Sequence, residues 1–150
     1  MDEAHVLGAH GQLRAAVRRR ELVDEGLRRS EVLLRRAALE EAPEALIGPL
    51  VAVAGTATTA AQIHLGLRAY DPDRLDQQVL TREDLMAMLE ALAARSVAER
   101  MASFGLPEGR ADVLPAGLSL LLAALERLGL EQLTVRDRGV AWGEALRHLA

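Results

Sequence analysis

Cysteine and lysine are both absent from this chain of 150 residues. Without cysteine the protein can form neither a disulfide nor a thiolate metal site, and its redox compartment cannot be read from the sequence. Without lysine it cannot contain a P-loop of the GxxxxGK[ST] type. All 18 basic residues are arginine. This bias fits a GC-rich genome, and the alternative is a need for guanidinium groups that grip phosphate with two hydrogen bonds.

Histidine is scarce, and an excess of positive charge is lacking. The four histidines, His5, His10, His64 and His148, are too scattered to form a zinc site of the HExxH kind. The 22 acidic residues outnumber the basic ones and give a net charge of −4. The overall electrostatic field therefore favours neither nucleic acid nor an anionic membrane as a partner. A polyanionic substrate would need a local site.

Signals for secretion or membrane insertion are missing as well. Residues 1–5 show no basic region followed by an apolar one, as a secretory signal would. The longest uncharged stretch, residues 45–67, contains the Gly48-Pro49 pair and several polar residues, unlike a membrane-spanning helix. We therefore expect a cytoplasmic protein without a membrane partner.

The hydrophobic pattern predicts one α/β domain, since half of the residues are apolar and the length suits a single core. A strand ends near residue 8, and helical spacing covers residues 12–41. A buried strand at 50–54 leads into a helix at 56–65 that its threonine hydroxyls can cap. Further predicted elements are helices at 81–94 (with Thr81 as N-cap), 96–103, 110–128 and 140–149, and a strand at 132–135. Strands that alternate with helices in this way predict parallel pairing.

The turn after the strand at 50–54 is the first candidate site. In Ala54-Gly55-Thr56 the glycine allows close approach of a ligand, and N–H groups at the start of the next helix can hold a phosphate. The alternative is that small residues only permit tight packing here. The sequence contains no GxGxxG motif that would favour the phosphate-binding interpretation. The residues alone leave both interpretations open.

Arg110 is the second candidate, because a guanidinium near a helix start can clamp a phosphate chain. Its alternative is a surface capping pair with Asp112. The acids Glu83 and Asp84 have the spacing of first-turn residues in the helix at 81–94. We expect them to favour the helix dipole and not to act as an acid–base pair.

The segment Asp137-Arg138-Gly139 is the third candidate. It superficially resembles the DxG phosphate loop of actin-like ATPases. Such loops continue with small hydroxyl residues, whereas a helix begins here at Val140. We therefore reject that role, and we interpret the nearby Trp142 as a core or interface residue.

Five segments, in order along the chain, resemble those of one protein family. They are VAVAGTATT from Val51 (family VGGTATT), Tyr70-Asp71 with LTREDL from Leu80 (family YD and L(S/T)xxxL), Ala98-Glu99-Arg100 (family xER), Gly105-Leu106-Pro107 with Arg110-Ala111-Asp112-Val113 and Gly117 (family GLxxxRADVxxxG), and LTVRDRG from Leu133 (family hxVSDxGLREG). By this resemblance the chain is identified as a member of the exopolyphosphatase/guanosine pentaphosphate phosphatase (Ppx/GppA) family, in its C-terminal half.

The resemblance implies a partial actin-like (ribonuclease H-like) domain, with a few-stranded sheet and several packed helices. It implies an enzyme that uses magnesium to release terminal phosphate from polyphosphate or guanosine pentaphosphate. It also implies phosphate or nucleotide contact at Gly55, Thr56 and Arg110. Where the family has the first glycine of GGT this chain has Ala54, and where the family has the serine of VSD it has Arg136.

The resemblance further implies that residues 1–150 are the C-terminal part of the second actin-like domain. The family's DxGSN loop, catalytic glutamate and DIGGGSTE loop would precede residue 1, so this chain would contribute no catalytic or metal-binding residue. We expect it to be inactive alone and to need the missing N-terminal half as a partner. The strand at 50–54 would lack its inner neighbour, and a bare strand edge seeks a partner. A non-catalytic interaction or regulatory module, such as a homodimer, is the alternative.

Overall fold

The computed structural model describes residues 21, 23–26, 28, 29 and 48–148. The described residues between 21 and 29 are helical, as the pattern over 12–41 predicts. The strand end expected near residue 8 and the remainder of the 12–41 helix lie outside the described residues.

Residues 48–148 form three strands and six helices. In chain order these are β1 (Leu50–Val53), α1 (Ala54–His64), α2 (Pro72–Leu75), β2 (Val79–Thr81), α3 (Arg82–Ala93), α4 (Val97–Phe104), α5 (Glu108–Leu128), β3 (Gln132–Arg136) and α6 (Val140–Arg147). The strands predicted at 50–54 and 132–135 are confirmed, and so are the five helices predicted from residue 56 onward. Their ends shift by one or two residues, which is the usual uncertainty of element boundaries.

The sheet has the strand order β1-β3-β2. β1 and β3 are parallel, which confirms the predicted pairing. β2 is antiparallel to β3 and was not predicted. It has only three residues, too few to show an alternating pattern in the sequence. Leu80 of β2 lies opposite Leu133 of β3 and is fully buried, so packing across the sheet accounts for this strand.

The two faces of the sheet have different surroundings. Leu50 and Ala52 of β1 pair with Leu133 and Val135 of β3 on the face that the helices cover. The side chains of β1 on the other face, Val51 and Val53, are 50% and 41% exposed. The prediction of a buried strand is therefore wrong for this face. Parallel strands are normally covered on both faces, and no described residue covers this one fully.

The long helix α5 forms the centre of the core. Its buried side chains recur at helical spacing and are Ala111, Leu114, Leu118, Ser119, Leu122, Ala123 and Leu125. It packs against α1, α3 and α4. A helix with one buried stripe and three helical neighbours makes a rigid support for the turns at its ends.

Two capping boxes define the starts of α3 and α4. Thr81 accepts a hydrogen bond from the backbone N–H of Asp84, and the Asp84 carboxylate accepts one from the backbone N–H of Thr81. Ser96 and Glu99 make the same exchange at α4. The predicted N-cap at Thr81 is thus confirmed, and Asp84 has the helix-start role expected of it.

The start of α1 differs from the prediction. Its N-cap is Val53, and no side chain makes a cap hydrogen bond there, so the expected capping by threonine hydroxyls is wrong. The hydroxyl of Thr58 donates instead to the carbonyl oxygen of Ala54, 3.3 Å away. Ala54 itself has φ +70°, in the left-handed region. An L-residue pays about 1–2 kcal/mol for that conformation, and glycine adopts it freely.

Substitution of Ala54 by glycine should therefore stabilise the protein. Relief of the left-handed strain outweighs the extra backbone entropy that glycine brings to the unfolded chain, and we expect a gain of about 0.5–1 kcal/mol. Urea unfolding of the two proteins measures this difference, provided that the unfolding free energy of both depends on urea concentration with the same slope.

The matched control is Ala87→Gly, because Ala87 is an exposed residue in the interior of α3. There glycine should cost about 0.5–1 kcal/mol. Equal destabilisation by both substitutions would show that position 54 does not hold a left-handed backbone.

A second expectation concerns pH. Hydrogen bonds from the Thr81 hydroxyl and backbone N–H hold the pKa of Asp84 below its ordinary value of 3.8. This group therefore adds stability above pH 3.8, and the contribution disappears as the pH falls through the lower pKa of the folded protein. At neutral pH, Asp84→Asn should cost about 0.5–1.5 kcal/mol. In unfolding series from pH 7 to pH 2 that cost should vanish at the acid end.

Glu83→Gln serves as the control for this pH series. It removes the same charge from the same turn of α3, and among the described residues Glu83 forms no hydrogen bond to the cap. Its effect should stay smaller than that of Asp84→Asn. A cost of Asp84→Asn that persists unchanged at pH 2 would contradict the carboxylate's capping role.

Candidate functional site

The turn between β1 and α1 lies at the carboxyl end of a parallel strand. The neighbouring parallel strand β3 ends at the same edge, with Val53 opposite Arg136. Ligand sites of open α/β sheets lie at this edge. Gly55 and Thr56 form the first turn of α1, whose leading N–H groups no N-cap side chain satisfies. These groups and the positive end of the helix dipole favour an anion at this position.

Arg110 lies directly over this turn, although 55 residues separate it from Gly55 in the sequence. A β-carbon built at position 55 would lie 2.5 Å from Cζ of Arg110 and still closer to both terminal nitrogens. Any side chain at position 55 would therefore displace the guanidinium. The absence of a side chain at Gly55 is what allows Arg110 to occupy this place.

Thr56 makes the second contact between α1 and α5. A β-carbon at Gly117 would lie 2.6 Å from both Cγ2 and Oγ1 of Thr56 and 3.2 Å from its Cβ. Gly117 therefore lets the two helices approach each other closely. It lies seven residues after Arg110 on α5, which is two helical turns on the same face.

The three predicted site residues Gly55, Thr56 and Arg110 are thus brought together by one helix–helix contact. Gly117 belongs to the segment that resembles GLxxxRADVxxxG, but the sequence alone assigns it no role. The signal that could have found it is its spacing of seven from Arg110. Asp112, the proposed capping partner of Arg110, is exposed, and among the described residues no ion pair joins the two. The capping-pair alternative therefore has no support in the described contacts.

A separate polar cleft of about 420 Å³ lies beside the end of β3. The Tyr70 hydroxyl donates to Asp137 there, and this hydrogen bond raises the pKa of Tyr70. Asp76 accepts from the backbone N–H of Asp137 at 2.9 Å and pairs with Arg136 at 3.1 Å. The quoted segments Tyr70-Asp71 and LTVRDRG therefore meet in space. Their polar groups largely satisfy one another, so we assign them a structural role.

Trp142 lies at the rim of this cleft and is half exposed. The guanidinium of Arg138 stands over its ring, 5.0 Å from the centroid. Trp142 was interpreted from the sequence as a core or interface residue. Its exposure of 51% excludes a place in the core, so an interface role is the interpretation that stays a prediction. Glu83 lines a shallow surface hollow together with Arg82, Met86 and Glu131.

Comparison with known proteins relates this arrangement to one family. The sequence profile of the Ppx/GppA phosphatase family matches residues 15–149. The chain belongs to the Ppx/GppA phosphatase family. A curated relative, exopolyphosphatase 2 of Mycobacterium tuberculosis, is 31% identical over 113 residues. That match covers 73% of this chain and 35% of the relative.

Solved structures of the Ppx/GppA family share the fold. The Ppx/GppA phosphatase of Aquifex aeolicus, in its type II variant, superposes with a TM-score of 0.75 at 24% identity, covering 87% of this chain and 42% of that one. An exopolyphosphatase from Cytophaga hutchinsonii gives 0.66 at 19% identity, with coverage of 83% and 42%. The expected α/β, actin-like class is confirmed. The chain spans about a third of the curated relative and less than half of these solved chains.

Among residues 21–29 and 48–148, so far as they are described, no three His, Asp or Glu side chains are placed to hold a metal ion. Over those residues no helix is both long and apolar enough to cross a membrane.

The close contact between Gly117 and Thr56 can be tested by substitution. Gly117→Ala should cost about 1–3 kcal/mol, because the new methyl group would lie 2.6 Å from the short, branched side chain of Thr56. In the double variant with Thr56→Ser, the Cγ2 methyl is gone and part of the lost stability should return. Thermal or urea unfolding measures both effects. Simple addition of the two single costs would contradict a direct contact.

Proposed function

We propose that this chain is the C-terminal part of the second actin-like domain of a phosphohydrolase. The whole enzyme would release terminal phosphate from inorganic polyphosphate or guanosine pentaphosphate. The observation that carries the proposal is the guanidinium of Arg110 above Gly55 at the uncapped start of α1. Family membership supports the reaction class, and the relative named exopolyphosphatase 2 supports polyphosphate as the substrate.

The chemistry of these groups suits a phosphate chain. A guanidinium offers several N–H donors in a fixed fork, which matches the oxygens of a phosphate group. The first-turn N–H groups of α1 add further donors and the positive end of the helix dipole. No described residue forms a hydrogen bond or ion pair with the guanidinium of Arg110. Its donors are therefore available to a ligand of this kind.

In the proposed reaction a water oxygen forms a bond to the terminal phosphorus while the bridging P–O bond breaks. The shortened chain leaves with the bridging oxygen. Gly55, Thr56 and Arg110 would bind and orient the phosphate chain. Electrostatic stabilisation of the negative charge on the phosphate oxygens is a major part of catalysis in phosphoryl transfer. The base that accepts the proton of water would come from the N-terminal half.

Magnesium is part of the proposal for the whole enzyme only. The donors at the β1–α1 turn are backbone N–H groups, a threonine hydroxyl and a guanidinium, whereas magnesium prefers carboxylate and phosphate oxygens. The described residues of this chain therefore do not fit a magnesium site. Its ligands, like the catalytic base, would belong to the partner polypeptide.

The N-terminal half of a Ppx/GppA enzyme is the partner we propose for β1. Within the described residues β1 pairs with β3 on one side only, and its other edge is unpaired. Val51 and Val53 beside that edge are largely exposed. An unpaired edge next to exposed apolar side chains favours addition of a further strand. The same features favour the second candidate, a non-catalytic interaction or regulatory module that forms a homodimer. The proposal includes a cytoplasmic location, with neither nucleic acid nor membrane as a partner.

Phosphate release tests the proposal. We expect no release from polyphosphate by this chain alone, and release after it is mixed with a separately produced N-terminal half of a Ppx/GppA enzyme. In the mixture, Arg110→Ala should weaken polyphosphate binding about ten- to a hundredfold, since charge-assisted hydrogen bonds are lost. Phosphate release by the chain alone, or undiminished polyphosphate binding by Arg110→Ala, would contradict the proposed function.

Two further variants sharpen this assay. Arg127→Ala is the control, because Arg127 is also an exposed arginine on α5 but lies about 25 Å farther along the helix. It should leave binding unchanged. Gly55→Ala should weaken binding in the same way as Arg110→Ala, because its methyl group displaces the guanidinium. A mixture that never gains activity but contains dimers of this chain would favour the interaction module.

A further inference from the structure

Pro115 lies inside α5 and breaks its hydrogen-bond ladder. Proline has no backbone N–H, so it cannot donate to the carbonyl oxygen four residues earlier in a helix. In α5 that oxygen belongs to Ala111, a buried residue next to Arg110 in the sequence. A buried carbonyl without a partner costs about 1–3 kcal/mol. The carbonyl oxygen of Ala111 therefore needs a donor from outside α5.

Arg100 of α4 supplies that donor. Its Nη1 donates to the carbonyl oxygen of Ala111 at 3.0 Å, and its Nε donates to the carbonyl oxygen of Leu92 at 2.8 Å. Leu92 is in the last turn of α3, where no basic residue of α3 itself offsets the negative end of the dipole. One guanidinium thus joins the end of α3 to the beginning of α5.

We infer that Arg100 is a positioning residue, which holds the first turns of α5 so that Arg110 stays over Gly55. This inference rests on the proposed phosphate-binding role of Arg110. Arg100 holds α5 by its hydrogen bond to the carbonyl oxygen of Ala111. About two turns farther on, the close contact between Gly117 and Thr56 holds the same helix against α1. Between these two anchors the proline leaves α5 one hydrogen bond short. Without Arg100 this segment would be free to move away from α1.

The two bonds also explain why arginine occupies position 100. Nε and Nη1 of a guanidinium are two donors at a fixed separation, and they reach two carbonyl oxygens at once. A lysine ammonium is a single point charge on a flexible stem. Arg100→Lys should therefore keep the charge but restore only part of the function.

Amide hydrogen exchange on the full chain tests this inference without any ligand. Arg100→Gln should accelerate exchange in residues 108–114 about tenfold, since a charge-assisted hydrogen bond is lost. Arg100→Lys should give an intermediate value. Exchange in β3 reports on global unfolding and should change less. In a Pro115→Ala background the restored N–H satisfies Ala111, and the effect of Arg100→Gln on residues 108–114 should largely disappear.

Arg95→Gln is the matched control. Arg95 also donates to a carbonyl oxygen at the end of α3, that of Ala91 at 2.6 Å, and no described contact joins it to α5. It should leave exchange in residues 108–114 unchanged. Equal acceleration by Arg95→Gln, or none by Arg100→Gln, would overturn the inference whatever the ligand assays give.

Binding of inorganic triphosphate, measured by calorimetry on the mixture with the N-terminal half, links this segment to Arg110. Arg100→Gln should weaken binding about tenfold in the wild-type background and have no effect in the Arg110→Ala background. Equal weakening in both backgrounds would overturn the positioning role. If exchange responds as expected but Arg110→Ala binds triphosphate as well as wild type, the proposed function fails, while the role of Arg100 in holding α5 is supported.

Discussion

The close approach of α1 and α5 is the constraint on which the rest of the structure depends. Two glycines allow it, one on each helix, because a side chain at Gly55 would collide with Arg110 and a side chain at Gly117 would collide with Thr56. Each glycine faces a candidate site residue on the opposite helix. The contact that packs the core is therefore also the contact that assembles the candidate site, and a change in helix spacing would alter both.

Around this contact, side-chain hydrogen bonds fix the ends of several helices. The capping boxes at Thr81 and Ser96 define where α3 and α4 begin. Arg100 then connects the end of α3 with the beginning of α5 at the oxygen that Pro115 leaves unsatisfied. α1 and α5 both begin without a side-chain cap, and at the start of α1 Ala54 also has a left-handed backbone. Strained backbone conformations cluster at ligand sites, so the left-handed Ala54 agrees with the candidate site at this turn.

The sheet is less self-sufficient than the helical layer. Its helix-covered face is a continuous part of the core, whereas Val51 and Val53 remain exposed on the other face and β1 has an unpaired edge within the described residues. A parallel pair of strands with one open face is unusual in an isolated domain. This asymmetry agrees with a chain that spans less than half of the related solved structures.

The sequence by itself determined five of the six helices in residues 48–148, two of the strands, the cap at Thr81 and the Ppx/GppA family. These features depend on hydrogen bonds and hydrophobic spacing within a few neighbouring residues, and a linear pattern records them. Only the tertiary structure decided that Arg110 meets Gly55, that Arg100 meets Ala111, that β2 exists and that one face of β1 is exposed. The Arg110–Gly55 contact joins residues far apart in the chain, and the others likewise follow from how whole helices and strands pack. A single sequence gives no local pattern for contacts between distant residues. At Gly55 there is no side chain at all, so neither its type nor its spacing could indicate the contact with Arg110.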